Sequence, residues 1–294
     1  MRLAPLAAAL LLSCTAANAA TATPALPPVL PPPDMNAPAV PEQAQPASPI
    51  ERALAGDWRS EKNRARDQYR HPQQTLAFFG VDPASQTLIE IWPGGGWYAE
   101  VLAPAFQFGG GSYIAIVPKP QPDSPERVDR DNDKLRAMFA ARPELYSHAQ
   151  VRESVDAAPD LGPPESADVV LTFRNVHNWV MAGNEQAMFQ AMFKVLKPGG
   201  TLGVVDHRAA ADQPPAEMKT SGYLPEAYVI ALAEGAGFKL VETSEINANP
   251  KDTKDYKEGV WTLPPTLTLG EQDKAKYLAI GESDRMTLKF RKPQ

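Results

Sequence analysis

Two amide side chains flank a histidine in the second half of the chain, where residues 174–179 read Arg-Asn-Val-His-Asn-Trp. The imidazole of His177 changes its protonation near neutral pH, which suits it to take a proton from a substrate as a general base. The amide groups of Asn175 and Asn178 can hydrogen-bond a substrate or a cofactor. The opposing interpretation is that His177 only packs in the interior, and the sequence leaves both open.

An acid, a histidine and an arginine follow one another at Asp206, His207 and Arg208, after a later apolar segment. Histidine and carboxylate groups bind several divalent ions, so His177, Asp206 and His207 together would suit a metal-dependent hydrolase. These three residues come from two distant segments, and an ion pair between Asp206 and Arg208 is the more common arrangement. We therefore predict no metal ligand and keep the hydrolase as an alternative.

Three consecutive glycines mark a second candidate site, since Gly94, Gly95 and Gly96 follow an apolar segment at 88–91. A glycine turn between a strand and a helix leaves backbone N–H groups free, and a ligand can approach it closely because no Cβ atom intervenes. Glu90, near the end of the strand, is placed to accept hydrogen bonds from a cation or from hydroxyls. We predict a ligand-binding turn here.

The elements that must position these residues alternate between strands and helices. Apolar segments predict strands at 88–91, 112–117, 148–151, 167–173, 201–206, 238–245 and 285–290. Periodic or capped segments predict helices at 50–70, 124–142, 184–196 and 225–235. Such an alternation indicates a mainly parallel sheet with helices on both faces, which binds ligands at the carboxyl ends of its strands. A long insertion at 247–281 predicts a lid or binding loop, with Trp261 as a substrate wall or as an anchor to the core.

The first nineteen residues predict an export signal, because an apolar run at 3–12 is followed by small residues at 17–19. Residues 20–49 are rich in proline and predict a disordered spacer, which leaves 50–294 as the folded domain. We therefore expect an exported, periplasmic protein without a membrane span. Lipid attachment at Cys14, which is the single cysteine, is the alternative to cleavage after Ala19.

Three landmarks stand in the order found in one large family. They are the glycine turn at 90–96, Leu-Lys-Pro-Gly-Gly at 196–200, and Ala-Glu-Gly-Ala-Gly-Phe at 233–238. Together they resemble class I S-adenosylmethionine-dependent methyltransferases. More narrowly, the chain is similar to exported predicted methyltransferases in its segments at 69–72, 92–97 and 172–179. The resemblance extends from about Arg64 to the C-terminus, and it implies a Rossmann-like, doubly wound, mostly parallel seven-stranded sheet whose last strand is antiparallel.

The resemblance also implies roles for particular residues. The cofactor would be S-adenosylmethionine, and the residues implied to bind it are Glu90, Gly94, Gly95, Gly96, Arg70 and Asn175. Arg70 would pair with the methionine carboxylate, with a helix-end salt bridge as the alternative. The catalytic residues would be His177 and Asn178. The acid that usually holds the ribose hydroxyls at the end of the second strand has no counterpart, because residues 116–118 read Ile-Val-Pro.

These observations predict an enzyme that transfers a methyl group from S-adenosylmethionine to a small-molecule acceptor. The alternative is a non-catalytic module that binds a small ligand on the same fold, since a fold alone does not determine activity. A net charge of −6 and a pI near 5.4 argue against a nucleic-acid partner, which normally selects a basic surface. The sequence leaves the acceptor and the oligomeric state open.

Overall fold

The computed structural model describes residues 47–122, 125–211 and 213–294, and all of them belong to one compact unit. The predicted export signal and Cys14 lie outside the described residues, as does the predicted spacer except for residues 47–49. Within the described part of the chain, no helix is both long enough and apolar enough to cross a bilayer.

Seven strands and a larger number of mostly short helices build this unit. The strands are β1 (Thr87–Ile91), β2 (Ser112–Pro118), β3 (Ala149–Ser154), β4 (Ala167–Phe173), β5 (Leu196–His207), β6 (Lys239–Ser244) and β7 (Arg285–Arg291). The α-helices are α1 (Pro49–Leu54), α2 (Glu61–Arg64), α3 (Asp67–Arg70), α4 (Pro72–Phe79), α5 (Ala99–Gly109), α6 (Glu126–Ala141), α7 (Pro143–Tyr146), α8 (Val176–Ala182), α9 (Glu185–Val195), α10 (Met218–Ser221), α11 (Glu226–Gly235) and α12 (Lys274–Ile280).

The strands form one sheet in the order β3-β2-β1-β4-β5-β7-β6. Strand β1 pairs in parallel with β2 and β4, and the parallel pairing continues to β3 on one side and to β5 on the other. Strand β7 is antiparallel to both of its neighbours. The predicted Rossmann-like, doubly wound sheet with an antiparallel last strand is therefore confirmed. The strand order reverses between β1 and β4, where a cleft opens at the carboxyl ends of the strands.

Hydrophobic residues fill a layer on each face of the sheet. Ile89 and Ile91 of β1 pack in one layer with residues of α8, α9 and α11. Leu88 of β1 and Tyr113 of β2 pack in the other layer with residues of α1, α4, α5 and α6. The central strands are thus buried on both faces, which explains why their sequences are almost continuously apolar.

The predicted continuous helix over 50–70 is wrong, because the segment folds as the three short helices α1, α2 and α3. The first of them ends at Leu54 with Ala55 as its C-cap, and the ring of Trp58 packs so closely over the next residue, Gly56, that a Cβ atom there would overlap it. Ser60 caps α2 by accepting a hydrogen bond from the backbone N–H of Asn63 at 3.2 Å. The serine cap and the close packing at Gly56 compete with helix continuation, and together they outweigh the apolar spacing of the segment.

Candidate active site

A cavity of about 1000 Å³ lies at the carboxyl ends of β1, β4 and β5. The turn after β1 and residues 173–178 after β4 form its floor, while α6, residues 60–70 and residues 260–266 form its sides. The volume stands at the upper end of the range for small-molecule sites. The cavity therefore has room for a large cofactor and a small second ligand at the switch point of the sheet.

The glycine turn opens into this cavity through two of its three glycines. Gly94 has a φ of 56°, and a Cβ atom added there would meet nothing within 4 Å. A Cβ atom on Gly95 would stand 3.3 Å from the Nζ atom of Lys134. Gly96 faces α6 instead, where a Cβ atom would lie 3.0 Å from Met138 Cε. Gly94 and Gly95 line the cavity, whereas Gly96 allows the close packing of α6.

The two tryptophans that border the glycine turn leave the cavity open. The indole of Trp97 is buried, and its Nε1 atom donates to the carbonyl oxygen of Asn63 at 2.9 Å. The ring of Trp92 packs edge-on against Trp179, with ring centroids 5.8 Å apart. Both tryptophans line the cavity. The contact with Asn63 holds the ring of Trp97, and the contact with Trp179 holds that of Trp92.

Glu90 lies at the bottom of the cavity and is nearly completely buried. The hydroxyl of Tyr113 donates to its Oε2 atom at 2.5 Å. Burial raises the pKa of Glu90 to about 7, although the Tyr113 hydrogen bond and the charge of Arg70 act in the opposite direction. The carboxyl group is therefore able to bind a proton near neutral pH, and Tyr113, on the neighbouring strand, is a partner that sequence reasoning missed.

The two predicted asparagines both line the cavity but have different neighbours. The Nδ2 atom of Asn175 donates to the carbonyl oxygen of Ile91 at 2.8 Å and to Thr172 Oγ1 at 3.2 Å, so that it ties the end of β1 to β4. The Nδ2 atom of Asn178 donates to the carbonyl oxygen of Arg174 at 3.3 Å. Asn175 is the N-cap residue of α8, and Asn178 lies in the first turn of that helix.

His177 forms a buried pair with Asp206. The imidazole Nδ1 and the Oδ1 atom of Asp206 are 2.9 Å apart, and Asp206 is completely buried. Asp206 also accepts hydrogen bonds from the backbone N–H groups of His177, at 3.2 Å, and of His207, at 2.7 Å. A carboxylate only accepts, so the Nδ1 atom of His177 carries the hydrogen. Its Nε2 atom, which has no hydrogen-bond partner among the described residues, is left as an acceptor at the cavity wall.

The second histidine of the cluster is held in a similar way. The Nδ1 atom of His207 lies 2.5 Å from Ser283 Oγ, and the rings of His207 and His177 are 4.9 Å apart at their centroids. Burial lowers the pKa of His207 well below its usual range, and nearby arginines, including Arg174, lower it further. His207 is therefore a neutral imidazole at the wall of the cavity.

Candidate metal-ligating atoms of His177, Asp206 and His207 lie within 4.8 Å of one another. The carboxylate oxygens of Asp206 already accept three N–H hydrogen bonds, from the His177 ring and from two backbone groups. Two of these donors share Oδ1 and the third is bound to Oδ2, so a cation at Oδ1 would have to displace a donor. The contacts therefore favour a hydrogen-bonded histidine–aspartate pair as the chemistry of this cluster.

The predicted ion pair between Asp206 and Arg208 is wrong. Arg208 binds Asp284 at 3.0 Å and Glu245 at 2.6 Å instead. Residues two apart in a strand point to the same face, so Asp206 and Arg208 would be neighbours if β5 continued through Arg208. Strand β5 ends at His207, and Arg208 forms an isolated bridge with Leu224 instead of continuing the pairing with β7.

A single carboxylate, that of Glu282, draws three arginines together beside the cavity. Glu282 contacts Arg66 at 2.6 Å, Arg285 at 2.9 Å and Arg70 at 3.2 Å. Burial opposes its ionisation, but the charges of Arg285, Arg70, Arg174 and Arg66 hold the pKa of Glu282 well below its usual range. The Nη2 atom of Arg70 is buried and has no hydrogen-bond partner among the described residues. Arg70, which lines the cavity, thus makes the predicted helix-end salt bridge and keeps one donor without a partner in the described part of the chain.

The segment 282–284 was assigned no role from sequence, yet it supports the whole site. Glu282 gathers the arginines, Ser283 contacts His207, and Asp284 binds Arg208. Because β7 is antiparallel, its first residues lie at the same edge of the sheet as the last residues of β5. Three polar residues before an apolar strand were the available signal, but their position depends on the direction of that strand.

Two walls of the cavity come from outside the sheet. Helix α6 contributes Asp131 beside Arg127, Arg130 and Lys134, opposite the end of β2 that carries no acid. The predicted lid segment contributes residues 260–261 and 264–266, and the ring of Trp261 lies 6.3 Å from that of His177. Trp261 is therefore placed at the histidine pair, as a wall of the cavity.

Comparisons with known proteins identify the fold. No model of a protein family matches the chain, and no curated protein matches it in sequence. The structure resembles a SAM-dependent methyltransferase from Aquifex aeolicus (16% identity, TM-score 0.51, covering 78% of this chain and 93% of that chain). It also resembles a putative sarcosine dimethylglycine methyltransferase from Galdieria sulphuraria (15%, 0.52, 78% and 86%) and the (4+2)-cyclase SpnF (16%, 0.55, 81% and 86%).

At this level of identity the comparisons establish the fold and no more. The sheet, its strand order and its cleft are those of the Rossmann-like fold of class I S-adenosylmethionine-dependent methyltransferases. A fold alone does not determine activity, so both the function and the acceptor must be argued from the site itself.

Proposed function

We propose that this chain is an exported S-adenosylmethionine-dependent methyltransferase that acts on a small-molecule acceptor. The observation that carries the proposal is the pair of His177 and Asp206. The free Nε2 atom of His177 stands at the wall of a large cavity. That cavity lies above a glycine turn, on a fold that the chain shares with two named methyltransferases. Proton removal and cofactor binding thus have candidate groups in one cleft.

The residues around the glycine turn fit the cofactor. Gly94 leaves open space for it, and the free Nη2 atom of Arg70 suits its carboxylate. Glu90 and Asp131 suit its ammonium and hydroxyl groups, with Asp131 of α6 replacing the acid that β2 lacks. When bound, S-adenosylmethionine would supply a methyl group activated by a sulfonium.

On the other side of the cavity, His177 takes the proton of the attacking group of the acceptor at its Nε2 atom. Asp206 holds the ring in the required tautomer and stabilises the imidazolium that forms. Asn178 orients the acceptor, and Trp261 with Phe173 shields the reacting atoms from water. Orientation of two ligands in one cavity supplies much of the expected acceleration.

Calorimetry of the full chain with S-adenosylmethionine and S-adenosylhomocysteine tests the cofactor assignment. We expect dissociation constants in the micromolar range, about −8 kcal/mol, for both compounds. An absence of binding at millimolar ligand would overturn the proposal. The acceptor side is then tested by formation of S-adenosylhomocysteine with a panel of small hydroxyl compounds.

A non-catalytic or otherwise catalytic role of the same cavity is the second candidate. It is supported by the likeness to the cyclase SpnF, whose name describes a reaction other than methyl transfer. This candidate predicts that the cofactor binds but that no acceptor is methylated. Turnover by the wild-type chain, abolished in His177→Gln, would exclude it.

The export proposal rests on residues 1–19 and is tested separately. Expression of the full chain, followed by cell fractionation and N-terminal sequencing, is expected to give a periplasmic protein that begins at Ala20. A product that begins at Cys14 with a blocked, lipid-modified terminus would identify the lipid-anchored alternative. An unprocessed cytoplasmic product would contradict export.

A further inference from the structure

The walls of the cavity are positively charged, although the chain as a whole carries a net charge of −6. Seven lysines and arginines line it, against three acidic residues. The acidic residues are Glu90, Glu100 and Asp131, and the basic ones are Lys62, Arg66, Arg70, Arg127, Arg130, Lys134 and Arg174. Such an excess within an acidic protein indicates a ligand of negative charge.

The excess of positive charge is most unfavourable where the basic side chains are buried. Glu282 is the carboxylate shared by Arg66, Arg70 and Arg285, and each of these side chains is at least four-fifths buried. One negative charge therefore faces three positive ones. The Nη2 atoms of Arg66 and Arg70 are buried without a hydrogen-bond partner in the described part of the chain. Buried charges without a partner are unfavourable, so the cluster is incomplete without an anion.

Arg174 adds a fourth positive charge and has the least support. Its guanidinium makes no salt bridge or hydrogen bond with the residues that the structure describes, although Glu282 and Asp206 influence it through space. Burial lowers the pKa of Arg174 to about 10. Its backbone is left-handed, with a φ of 61°, an unfavourable conformation for a residue other than glycine. Strain and an unpaired charge at one residue are features of binding sites.

The cofactor alone leaves this excess uncompensated. S-adenosylmethionine carries one carboxylate but also a sulfonium and an ammonium, so its net charge is positive. Its carboxylate can satisfy one guanidinium, for which Arg70 is the proposed partner. After cofactor binding the cavity is more positive than before, and Arg174 still has no anion in direct contact among the described residues. The second ligand must therefore supply it.

We propose that Arg174 binds an oxyanion, a carboxylate or a phosphate, on the methyl acceptor, and that the acceptor is a small acid. The inference rests on the proposed function, because it assigns the second ligand of the same cavity. Arg174 lies three residues before His177, between the end of β4 and α8. An acceptor held by its anionic group at Arg174 therefore lies beside the histidine pair, against the rings of Phe173 and Trp261.

Thermal unfolding of the full chain, saturated with S-adenosylhomocysteine, tests the proposal. Benzoate and inorganic phosphate are the probes, benzamide is the neutral counterpart of benzoate, and sodium chloride keeps the ionic strength constant. We expect one or both anions to raise the unfolding temperature of the wild type by a few degrees, and benzamide to have less effect. Arg174→Gln should weaken binding of the effective anion about tenfold or more, because a charge-assisted bidentate contact is lost.

Control variants separate this role from general effects of charge. Arg174→Lys keeps the charge and should retain part of the response, whereas Arg136→Gln, at an exposed arginine outside the cavity, should retain all of it. A response to benzoate alone identifies a carboxylate, and a response to phosphate alone identifies a phosphate. Equal stabilisation of wild type and Arg174→Gln by each anion, including no stabilisation of either, overturns the proposal.

Calorimetry with S-adenosylhomocysteine keeps the two proposals apart. Arg174→Gln should bind it as tightly as the wild type, and a comparable loss of affinity would assign Arg174 to the cofactor and overturn the inference. If the wild type itself does not bind it, the proposed function fails. The anion titrations are then repeated without it, and they still decide whether Arg174 binds an oxyanion.

Discussion

The two sides of the cavity are built differently. On the dyad side, which comprises His177, Asp206 and His207, the side chains are buried and held by hydrogen bonds within the protein. On the turn side, which comprises Glu90, Gly94, Gly95 and Asp131, the backbone is open and Gly94 has no neighbour in the space where a side chain would stand. One side is organised before any ligand arrives, and the other is shaped to receive one.

This difference separates rate from affinity. Fixed groups at the reacting atoms stabilise a transition state without further rearrangement, so changes on the dyad side should lower the turnover rate. Open backbone and half-exposed side chains contribute binding contacts, so changes on the turn side should lower cofactor affinity. Variants on each side test whether rate and affinity separate in this way.

The largest effect is expected from His177→Gln. The variant lacks the Nε2 base, so the turnover number should fall by about 10²- to 10⁴-fold. Its affinity for S-adenosylhomocysteine should stay within about twofold of the wild type, since the proposal places the cofactor on the turn side. The rate is measured with the best acid acceptor of the wild type, and the affinity by calorimetry. His148→Gln, at an exposed histidine, serves as the matched control.

Asp206→Asn should impair both the rate and the fold. One of the acceptor oxygens becomes an N–H donor, so that at least one of the three N–H groups bound to Asp206 loses its partner. A buried donor without a partner costs about 1–3 kcal/mol of unfolding free energy. Urea denaturation measures this loss against Asp133→Asn, at an exposed position. Unchanged stability together with an unchanged rate would remove Asp206 from the proposed pair.

Glu90 is the buried acid of the turn side, and its raised pKa predicts that the unfolding free energy depends on pH. Its pKa rises from 4.5 in the unfolded chain to about 7 in the folded one, so the folded state holds the proton more tightly. Its contribution to stability is therefore greatest below pH 4.5, falls as the pH rises to about 7, and is level above that. The total change is on the order of 3 kcal/mol.

Glu90→Gln removes this titration. The unfolding free energy of the variant, relative to the wild type, should increase between pH 4.5 and pH 8, as measured by urea denaturation across that range. Glu126→Gln, at an exposed glutamate, should follow the wild-type profile. Parallel profiles for wild type and Glu90→Gln would mean that Glu90 is ionised in the folded protein well below neutral pH.

Much of the fold was predictable from the sequence, because burial on both faces gives β1, β2 and β4 a continuous apolar signal. The glycine turn was predictable from its place between a buried strand and a helix, whereas the three glycines at 109–111 come at the end of a helix. The segment at 50–70 was not, because the Ser60 cap and the close packing of Trp58 over Gly56 interrupted the helix despite the helical spacing.

The candidate site was only partly predictable. His177 could be singled out by its neighbours, but its partner Asp206 lies on another strand, and only the pairing of β4 with β5 brings the two together. Glu282 and Ser283 were missed because their position depends on the antiparallel direction of β7. Contacts between strands that are distant in sequence leave no local pattern, so a single sequence does not reveal them.

Gly94→Ala tests the open backbone directly. Its φ of 56° is unfavourable for alanine, and the new methyl group would stand in the space proposed for the cofactor. Gly110→Ala is a matched control, because Gly110 is also exposed, has a φ of 94° and has no atom near its Cβ position. Both should lose about 1–2 kcal/mol of unfolding free energy from backbone strain. A loss of affinity for S-adenosylhomocysteine in Gly94→Ala alone would support the turn side as the cofactor site, and equal affinities would contradict it.

The smallest effect is expected from Asp131→Asn. Asp131 is half-buried on α6, and an asparagine there keeps an acceptor oxygen while losing the charge. A hydrogen bond at such a site contributes about 0.5–1.5 kcal/mol, so the affinity for S-adenosylhomocysteine should fall only several-fold. Asp133→Asn, two residues further along the same helix and exposed, should not change it. Unchanged affinity in Asp131→Asn would mean that Asp131 does not replace the acid that β2 lacks. The ribose hydroxyls would then be held by other groups of the cavity.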